Sequence, residues 1–371
     1  MANAFTRRDL MRVLSAAGLG AAVSSTRVPE ASADPAPPKA RERQPIEPTT
    51  VAHPTARLSD GKVIQPERTL PVLHETDVLV VGGGAAGFAA AVAAARAGAR
   101  TAIVERYGYF GGLWTGGLVL LVISTHARVG EKRIQVVRGI GDDLLRRLSR
   151  LDRGIINYGP DRINPTSDAE ATKYVMDEMT REAGVTTLLH CWAVDAVMDG
   201  REVRGVVVES KEGRQAVLAK VVVDATGDGD VFAAAGAEHE QRLHAIGLVH
   251  LLGNVDRVDG EELKKLGVKN PRRALGAPTP HPSIRWVNLR GPSTDGLDVE
   301  TLSRLELDHR RSIWKRVQTL RERTGEDDLV LLLVAPQLGE RTTRLLAGTH
   351  CLTYAETREP KQFPDVVAVG G

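Results

Sequence analysis

The sequence predicts an α/β protein: a parallel central sheet of the dinucleotide-binding type, extended by a β-meander, with an inserted α+β domain. Three observations predict it. The apolar run at residues 78–81 leads into Gly82-Gly-Gly-Ala-Ala-Gly87 and an alanine-rich stretch. A second run, at residues 101–104, ends on Glu105. A third, at residues 217–223, ends in Asp224-Ala-Thr-Gly-Asp-Gly-Asp230.

The first run is short and rich in β-branched residues, as a strand buried on both faces has to be. Gly82, Gly84 and Gly87 give the spacing G-x-G-x-x-G. The first glycine permits a tight turn, the second a close approach to a pyrophosphate, and the third close packing of helix on strand. Residues 85–97 are strong helix formers, and Gly98 stands where a C-terminal cap belongs. Glu105 lies 21 positions past Gly84. A carboxylate there can accept both hydroxyls of an adenosine ribose and would repel a 2′-phosphate, which favours FAD or NAD over NADP.

The chain has 371 residues, 42% of them hydrophobic, with a formal charge of +2 and 4% aromatic residues. It can build one large or two modest domains. Neither a basic field nor an aromatic stacking surface stands out, so nucleic acid is not an expected partner. No uncharged apolar run reaches 18 residues, so no integral membrane segment is expected. Cys191 and Cys351 are the only cysteines. They cannot supply a four-cysteine iron–sulfur cluster. They could pair in an exported protein, but the simpler reading is two small apolar side chains.

Residues 1–33 read as a twin-arginine signal peptide. Thr6-Arg7-Arg8-Asp9-Leu10-Met11-Arg12 precedes a mildly apolar segment, and Ala31-Ser32-Ala33 is a cleavage site. This implies the twin-arginine translocase as a partner and a periplasmic or extracellular location. Removing the segment takes Lys+Arg from 49 to 45 and Asp+Glu from 47 to 45, which leaves a neutral chain. The route carries folded proteins, which suits a protein that must trap its cofactor before crossing a membrane. Residues 34–70 hold seven prolines and little periodicity, and read as a disordered linker.

The expected domains are a nucleotide domain at 71–240, a substrate or cap domain at 241–330, and a return to the nucleotide domain at 331–371. Within the first, residues 134–151 read as an amphipathic helix, with Val136, Val137, Leu144, Leu145 and Leu148 on its apolar side. Ser167 is the expected cap of a helix at 169–183 that ends at Gly184. A meander of short strands follows over 185–209. The cap domain should contain strands at 246–252 and 283–288. It should also contain a charged helix near 299–323, its charges forming a solvated face.

Together these segments resemble the FAD-dependent oxidoreductases of the glutathione-reductase-like group, Rossmann-like flavoproteins. The likeness is to exported bacterial members distantly similar to the succinate dehydrogenase and fumarate reductase flavoproteins. It covers roughly residues 75–371. It rests on Gly82 to Gly87 with Glu105, on Tyr109-Phe-Gly-Gly-Leu-Trp-Thr115, and on Val223-Asp-Ala-Thr-Gly-Asp-Gly-Asp230. The last phrase separates FAD from NAD, because NAD-only dehydrogenases lack this second piece. The resemblance implies that Gly82, Gly84, Ala85, Ala86 and Gly87 line the pyrophosphate, with Glu105 and Arg106 flanking the ribose. It places Gly111, Gly112 and Thr115 along the flavin and Val194 on the strand that meets adenine. Thr226, Gly227 and Asp230 close the nucleotide half. Family members continue beyond the phrase Phe363-Pro-Asp-Val-Val-Ala368. This chain stops at Gly371 in mid-pattern, so the flavin end is expected to be incomplete and the 371-residue product a poor flavoenzyme.

In such a protein the flavin carries the electron chemistry, and side chains orient a small-molecule substrate and handle a proton. The catalytic candidates are Arg341 and Arg344, in an arginine-bearing segment that the resemblance places near the flavin, and His126. Arg128, His239, His244 and His250 are further candidates. An arginine there could clamp a carboxylate or form an interdomain salt bridge. No metal-ligand spacing is visible. The expected function is hydride or electron-pair transfer between a small molecule and noncovalently bound FAD. The alternatives are a non-catalytic nucleotide-binding remnant and an NAD-linked dehydrogenase.

Overall fold

Alternation within the first apolar run sets the layers. Leu79 and Val81 pack on one side of the sheet and Val80 on the other, and all three are buried. The next strand repeats the pattern, with Ala102 and Val104 on one side and Ile103 on the other. Both faces are therefore covered at residues 79–81 and 102–104, which are all apolar.

The computed structural model describes residues 55–358, apart from 124, 160–163, 266–268 and 270. The expected export segment with its cleavage site, the linker up to residue 54 and the phrase at 363–368 lie outside the described residues. The chain divides into two units at Arg68 and Thr69. In the first, Arg57–Ser59 and Lys62–Ile64 form an antiparallel hairpin turned by Asp60 and Gly61, both at positive φ. Part of the stretch expected to be disordered is therefore ordered, although its side chains remain largely exposed.

The second unit opens with β1 (Val72–Val81), α1 (Ala85–Arg96) and β2 (Thr101–Val104). It continues through α2 (Ile140–Leu148), α3 (Ala169–Glu182) and β3 (Thr186–Leu188). The meander is β4 (Trp192–Asp199), β5 (Glu202–Ser210) and β6 (Gly213–Asp224), followed by α4 (Asp230–Ala234). The sheet order is β4-β5-β6-β1-β2-β3. β6, β1, β2 and β3 run parallel, while β4, β5 and β6 are antiparallel neighbours. The C-terminal ends of β1, β2 and β6 thus share one edge, where ligands of such sheets sit. One face is filled by Phe88, Leu144, Leu148, Met176 and Met179 from the three helices.

Two helix expectations change. The helix expected over 134–151 is confined to α2, because residues 132–135 form a strand paired with His126–Val129. Gly139, at φ 67 and ψ −128, separates the two. Val136 and Val137 therefore lie outside the helix. The cap of α3 is Asp168 rather than Ser167: its side chain accepts the Ala171 N–H at 2.9 Å. Ser167 is buried and accepts the Trp114 indole N–H at 2.8 Å.

A second, antiparallel sheet is built from β7 (Leu248–Gly253), β8 (Arg285–Leu289), β9 (Val330–Val334) and Ala277–Pro278. α5 (Val299–Thr324) lies against it. Leu305, His309, Ile313, Val317 and Leu320 form its one buried stripe, and the Arg/Glu-rich remainder faces solvent as expected. Asp298 caps its start by accepting the Thr301 N–H at 2.7 Å, and Gly325, at φ 67, ends it. The cap region extends further than expected, since β9 belongs to its sheet. The return to the nucleotide domain begins near Gln337. Its N–H donates to the Gly116 carbonyl, and its side-chain amide donates to the Tyr109 hydroxyl at 3.0 Å.

Candidate nucleotide cradle and adjoining cleft

The turn after β1 is held by backbone contacts that leave no room for side chains. The Gly82 N–H donates to the Val104 carbonyl at 2.8 Å, continuing the ladder with β2. Gly82 sits at φ 99, and a Cβ on it would strike the Ala225 carbonyl. A Cβ on Gly87 would strike the Gly82 carbonyl. Gly84 differs. It caps α1 at φ −62 and ψ 179, and a Cβ on it would meet nothing within 4 Å. Above it lies the open space that a pyrophosphate needs. The first amides of α1, at the exposed Ala85 and Ala86, have no intrahelical acceptor and can receive an anion there.

Glu105 is 7% exposed, and both its oxygens are already engaged. Gly83 N–H donates to Oε2 at 2.6 Å and Tyr107 N–H to Oε1 at 2.8 Å. The carboxylate orders both loops and still presents lone pairs to a recess. That recess is lined by Gly82, Arg106, Trp192, Ala193 and Thr226, among others. Arg106 lies over the Tyr107 ring at 5.0 Å and over the Trp192 ring at 5.9 Å, so its guanidinium is held between two π faces.

The other wall is the turn after β6. Asp224 Oδ1 accepts the Thr226 hydroxyl at 2.7 Å, and Oδ2 accepts the Val231 and Phe232 amides at 3.1 and 3.0 Å. The Thr226 hydroxyl accepts the Asp230 N–H at 2.9 Å. One buried-side carboxylate thus caps α4 and shapes the Thr226–Asp230 turn, with Gly227 at φ 83.

The recess opens into a cleft of about 560 Å³, within the range of small-molecule sites. The nucleotide side of the cleft contributes Gly82, Gly84, Glu105, Arg106, Gly112, Thr226, Gly227 and Asp230. The opposite wall comes from Leu297, Leu302 and Glu306 at α5, and from Gln337, Glu340 and Arg341 on the return segment.

Several expected residues fall elsewhere. Gly111, at φ 108, is not on the lining: its N–H donates to the Gly83 carbonyl at 2.8 Å and fixes the two glycine loops side by side. Thr115 is 1% exposed and donates its hydroxyl to the Phe110 carbonyl, so it braces the loop from behind. Val194 does not line the recess. The β4–β5 register shifts between Ala193 and Asp195, which puts Trp192 and Ala193 there instead. Arg341 lines the cleft. Arg344 donates to the Asp228 carbonyl and to Asp230 Oδ1, both at 2.9 Å, and is the salt-bridge alternative considered above. His126 lies on the hairpin strand with Nδ1 3.1 Å from the Thr125 hydroxyl, outside both linings. His239 and His244 lie on short paired strands, also outside the linings, and His250 is wholly buried beneath α5. Cys191 is buried and Cys351 exposed, and neither is paired. Burial raises the Cys191 thiol pKa.

The residues that sequence reasoning missed are Trp192, Asp228, Gln337 and Glu340. Asp228 carried a signal as a member of the Val223–Asp230 phrase, and Glu340 as the neighbour of Arg341. Burial, and then the charge of Asp230, raise the pKa of the Asp228 carboxyl, although the Thr343 hydroxyl donates to it at 3.0 Å and opposes this.

The fold and cradle define a Rossmann-like nucleotide-binding protein with a second nucleotide motif after β6. Residues 77–247 match the model of a protein family described as FAD dependent oxidoreductase. The chain is similar to Thermovibrio ammonificans THI4, at 27% identity over 44% of this chain and 64% of that one, with a TM-score of 0.33. It is also similar to the myxobacterial chondrochloren halogenase CndH, described as a variant of FAD-dependent halogenases, at 16% identity over 71% and 63%, TM-score 0.45. A third is a geranylgeranyl bacteriochlorophyll reductase-like protein from Thermoplasma acidophilum, at 18% identity over 59% and 57%, TM-score 0.38. The chain spans between 57% and 64% of the length of these solved chains.

Proposed function

We propose that the protein is an exported FAD-dependent oxidoreductase that exchanges an electron pair between a small molecule in the cleft and noncovalently held FAD. The observation that carries this reading is continuity: the glycine cradle of the nucleotide opens directly into the cleft walled by the second domain. The residues fit the group. Gly82 and Gly87 are spaces that protein atoms forbid filling, Gly84 is a space left for ligand, and the N-terminus of α1 favours phosphate charge. Bound FAD supplies two-electron redox chemistry. The chain supplies the rest. Glu105 holds the ribose end and repels a 2′-phosphate, and the Thr226–Asp230 turn closes over the nucleotide. Arg341 faces the cleft, where it can orient an anionic or polar group of the substrate.

The Glu105→Gln variant should retain its fold while FAD affinity falls by about 5- to 150-fold, corresponding to ~1–3 kcal/mol for a lost charged hydrogen bond. Denaturing the wild-type protein should release FAD. Recovery of NAD in place of flavin, or unchanged flavin content in the variant, would count against this reading. Export rests on Arg7 and Arg8. Their joint replacement by Lys should leave unprocessed precursor in the cytoplasm, and equal export of the double variant would remove this part of the proposal.

A further inference from the structure

Glu340 stands where the return segment crosses the cleft, and it is one of the lining residues. Its Oε1 is buried with no hydrogen-bond partner among the described residues. Gly296 makes room for it: a Cβ at that position would collide with Oε1. Gly296 also lines the cleft, so a side chain there would displace the carboxyl. The four surrounding charges come from three parts of the chain. Asp228 and Asp230 lie on the turn after β6, Asp295 lies ahead of α5, and Arg106 follows β2. Three of these four are acids. Burial first, and then the charge of Asp228, push the Glu340 carboxyl up to about 7. A group titrating near the working pH is able both to give and to take a proton. Among the described residues, no other that lines the cleft has an unpartnered buried oxygen.

We infer that Glu340 is the proton-exchanging group of the cleft, placed to pass a proton to, or take one from, an oxygen or nitrogen of the bound small molecule. This rests on the oxidoreductase reading. The proton moves between a Glu340 carboxyl oxygen and the heteroatom of the substrate, and no other bond at Glu340 changes. The inference gives the cleft a preference for substrates with an O–H or N–H beside the carbon that is oxidised.

Infrared difference titration of the full-length protein tests this without a known substrate. A carboxylic-acid C=O band should disappear with a midpoint near pH 7. It should be absent from Glu340→Gln, and Asp228→Asn should move the midpoint to lower pH, because one repelling charge is gone. In D2O the band should shift within the mixing time, since the cleft is open. A band that survives in Glu340→Gln, or a Glu340 carboxylate ionised throughout pH 5–9, would overturn the inference. So would a band that fails to exchange, because the carboxyl would then be sealed away from the cleft. Flavin content, read by absorbance on the same samples, reports the oxidoreductase reading separately, so failure of one can be told from failure of the other.

Discussion

Replacing Gly87 with Ala should destabilise the fold by about 3 kcal/mol, whereas Gly84→Ala should leave the fold standing and still lose the flavin. The two glycines are three residues apart and belong to one motif, yet the structure assigns them opposite tasks. A Cβ on Gly87 points into the Gly82 carbonyl, with the Ala225 side chain close behind. Backbone cannot give way as a long side chain can, so α1 would have to lift off β1. Overpacking of this kind costs ~1–3 kcal/mol, with the upper end expected where backbone is the obstacle. Gly84 has an ordinary φ of −62, and its Cβ would meet no protein atom. Its replacement should change stability by no more than about 1 kcal/mol, the range of cap effects. The new methyl group would occupy the space above the helix N-terminus, where the pyrophosphate must approach. Chemical denaturation and flavin absorbance, measured on both variants, separate the effects. Equal loss of stability in the two would show that Gly84 is also a packing position, and full flavin retention in Gly84→Ala would show that the phosphates sit elsewhere.

That contrast shows what was legible in the sequence and why. The glycine turn, Glu105 and the Asp224–Asp230 phrase are local: each works through backbone atoms within a few residues of a strand end, so spacing alone reveals them. The second sheet was harder to delimit. β9 looks like the start of a return segment until its pairing with β7, some 80 residues earlier, is seen. The helix expected over 134–151 failed for a similar reason. Val137, Leu144 and Leu148 fit a helical stripe, but a strand partner at residues 126–129 claims the first part and Gly139 separates the rest. The exchange of Val194 for Trp192 and Ala193 depends on a one-residue bulge, which periodicity of two cannot register. Glu340 acquires its character from Asp228, more than 100 residues away, and from a glycine on another element. Arg344 was singled out for chemistry and turned out to tie the return segment to α4, since its partners Asp228 and Asp230 are visible as neighbours only in the fold.

Acidification from pH 7 to pH 4 should reveal a second long-range consequence of the fold, centred on His250. This residue lies on β7 between Leu248 and Leu252, wholly buried, and neither ring nitrogen has a partner among the described residues. Burial, followed by the nearby Arg316 charge, lowers its pKa from 6.5 to about 4. Between those values the unfolded chain binds a proton that the folded chain refuses. Stability from this residue is therefore complete above pH 6.5 and is lost as pH falls toward 4, by about 3 kcal/mol for a shift of this size. Glu340 acts in the opposite sense. Its pKa is raised from 4.5 to about 7, so the folded state holds the extra proton and its contribution is lost as pH rises through that window. The two slopes oppose each other, so these two residues together should change stability little across this range. Replacing His250 with Leu keeps an apolar group of similar size in place of an unpartnered ring, a change that should be near neutral or stabilising at pH 7. The variant should gain on the wild type by about 3 kcal/mol at pH 4 relative to pH 7. Glu340→Gln removes the opposing slope, so its stability should fall more steeply than that of the wild type as acid is added. Urea midpoints of the three proteins at several pH values decide the matter. Parallel profiles for wild type and His250→Leu would mean that the ring is not held neutral beneath α5, and that a polar partner reaches it there.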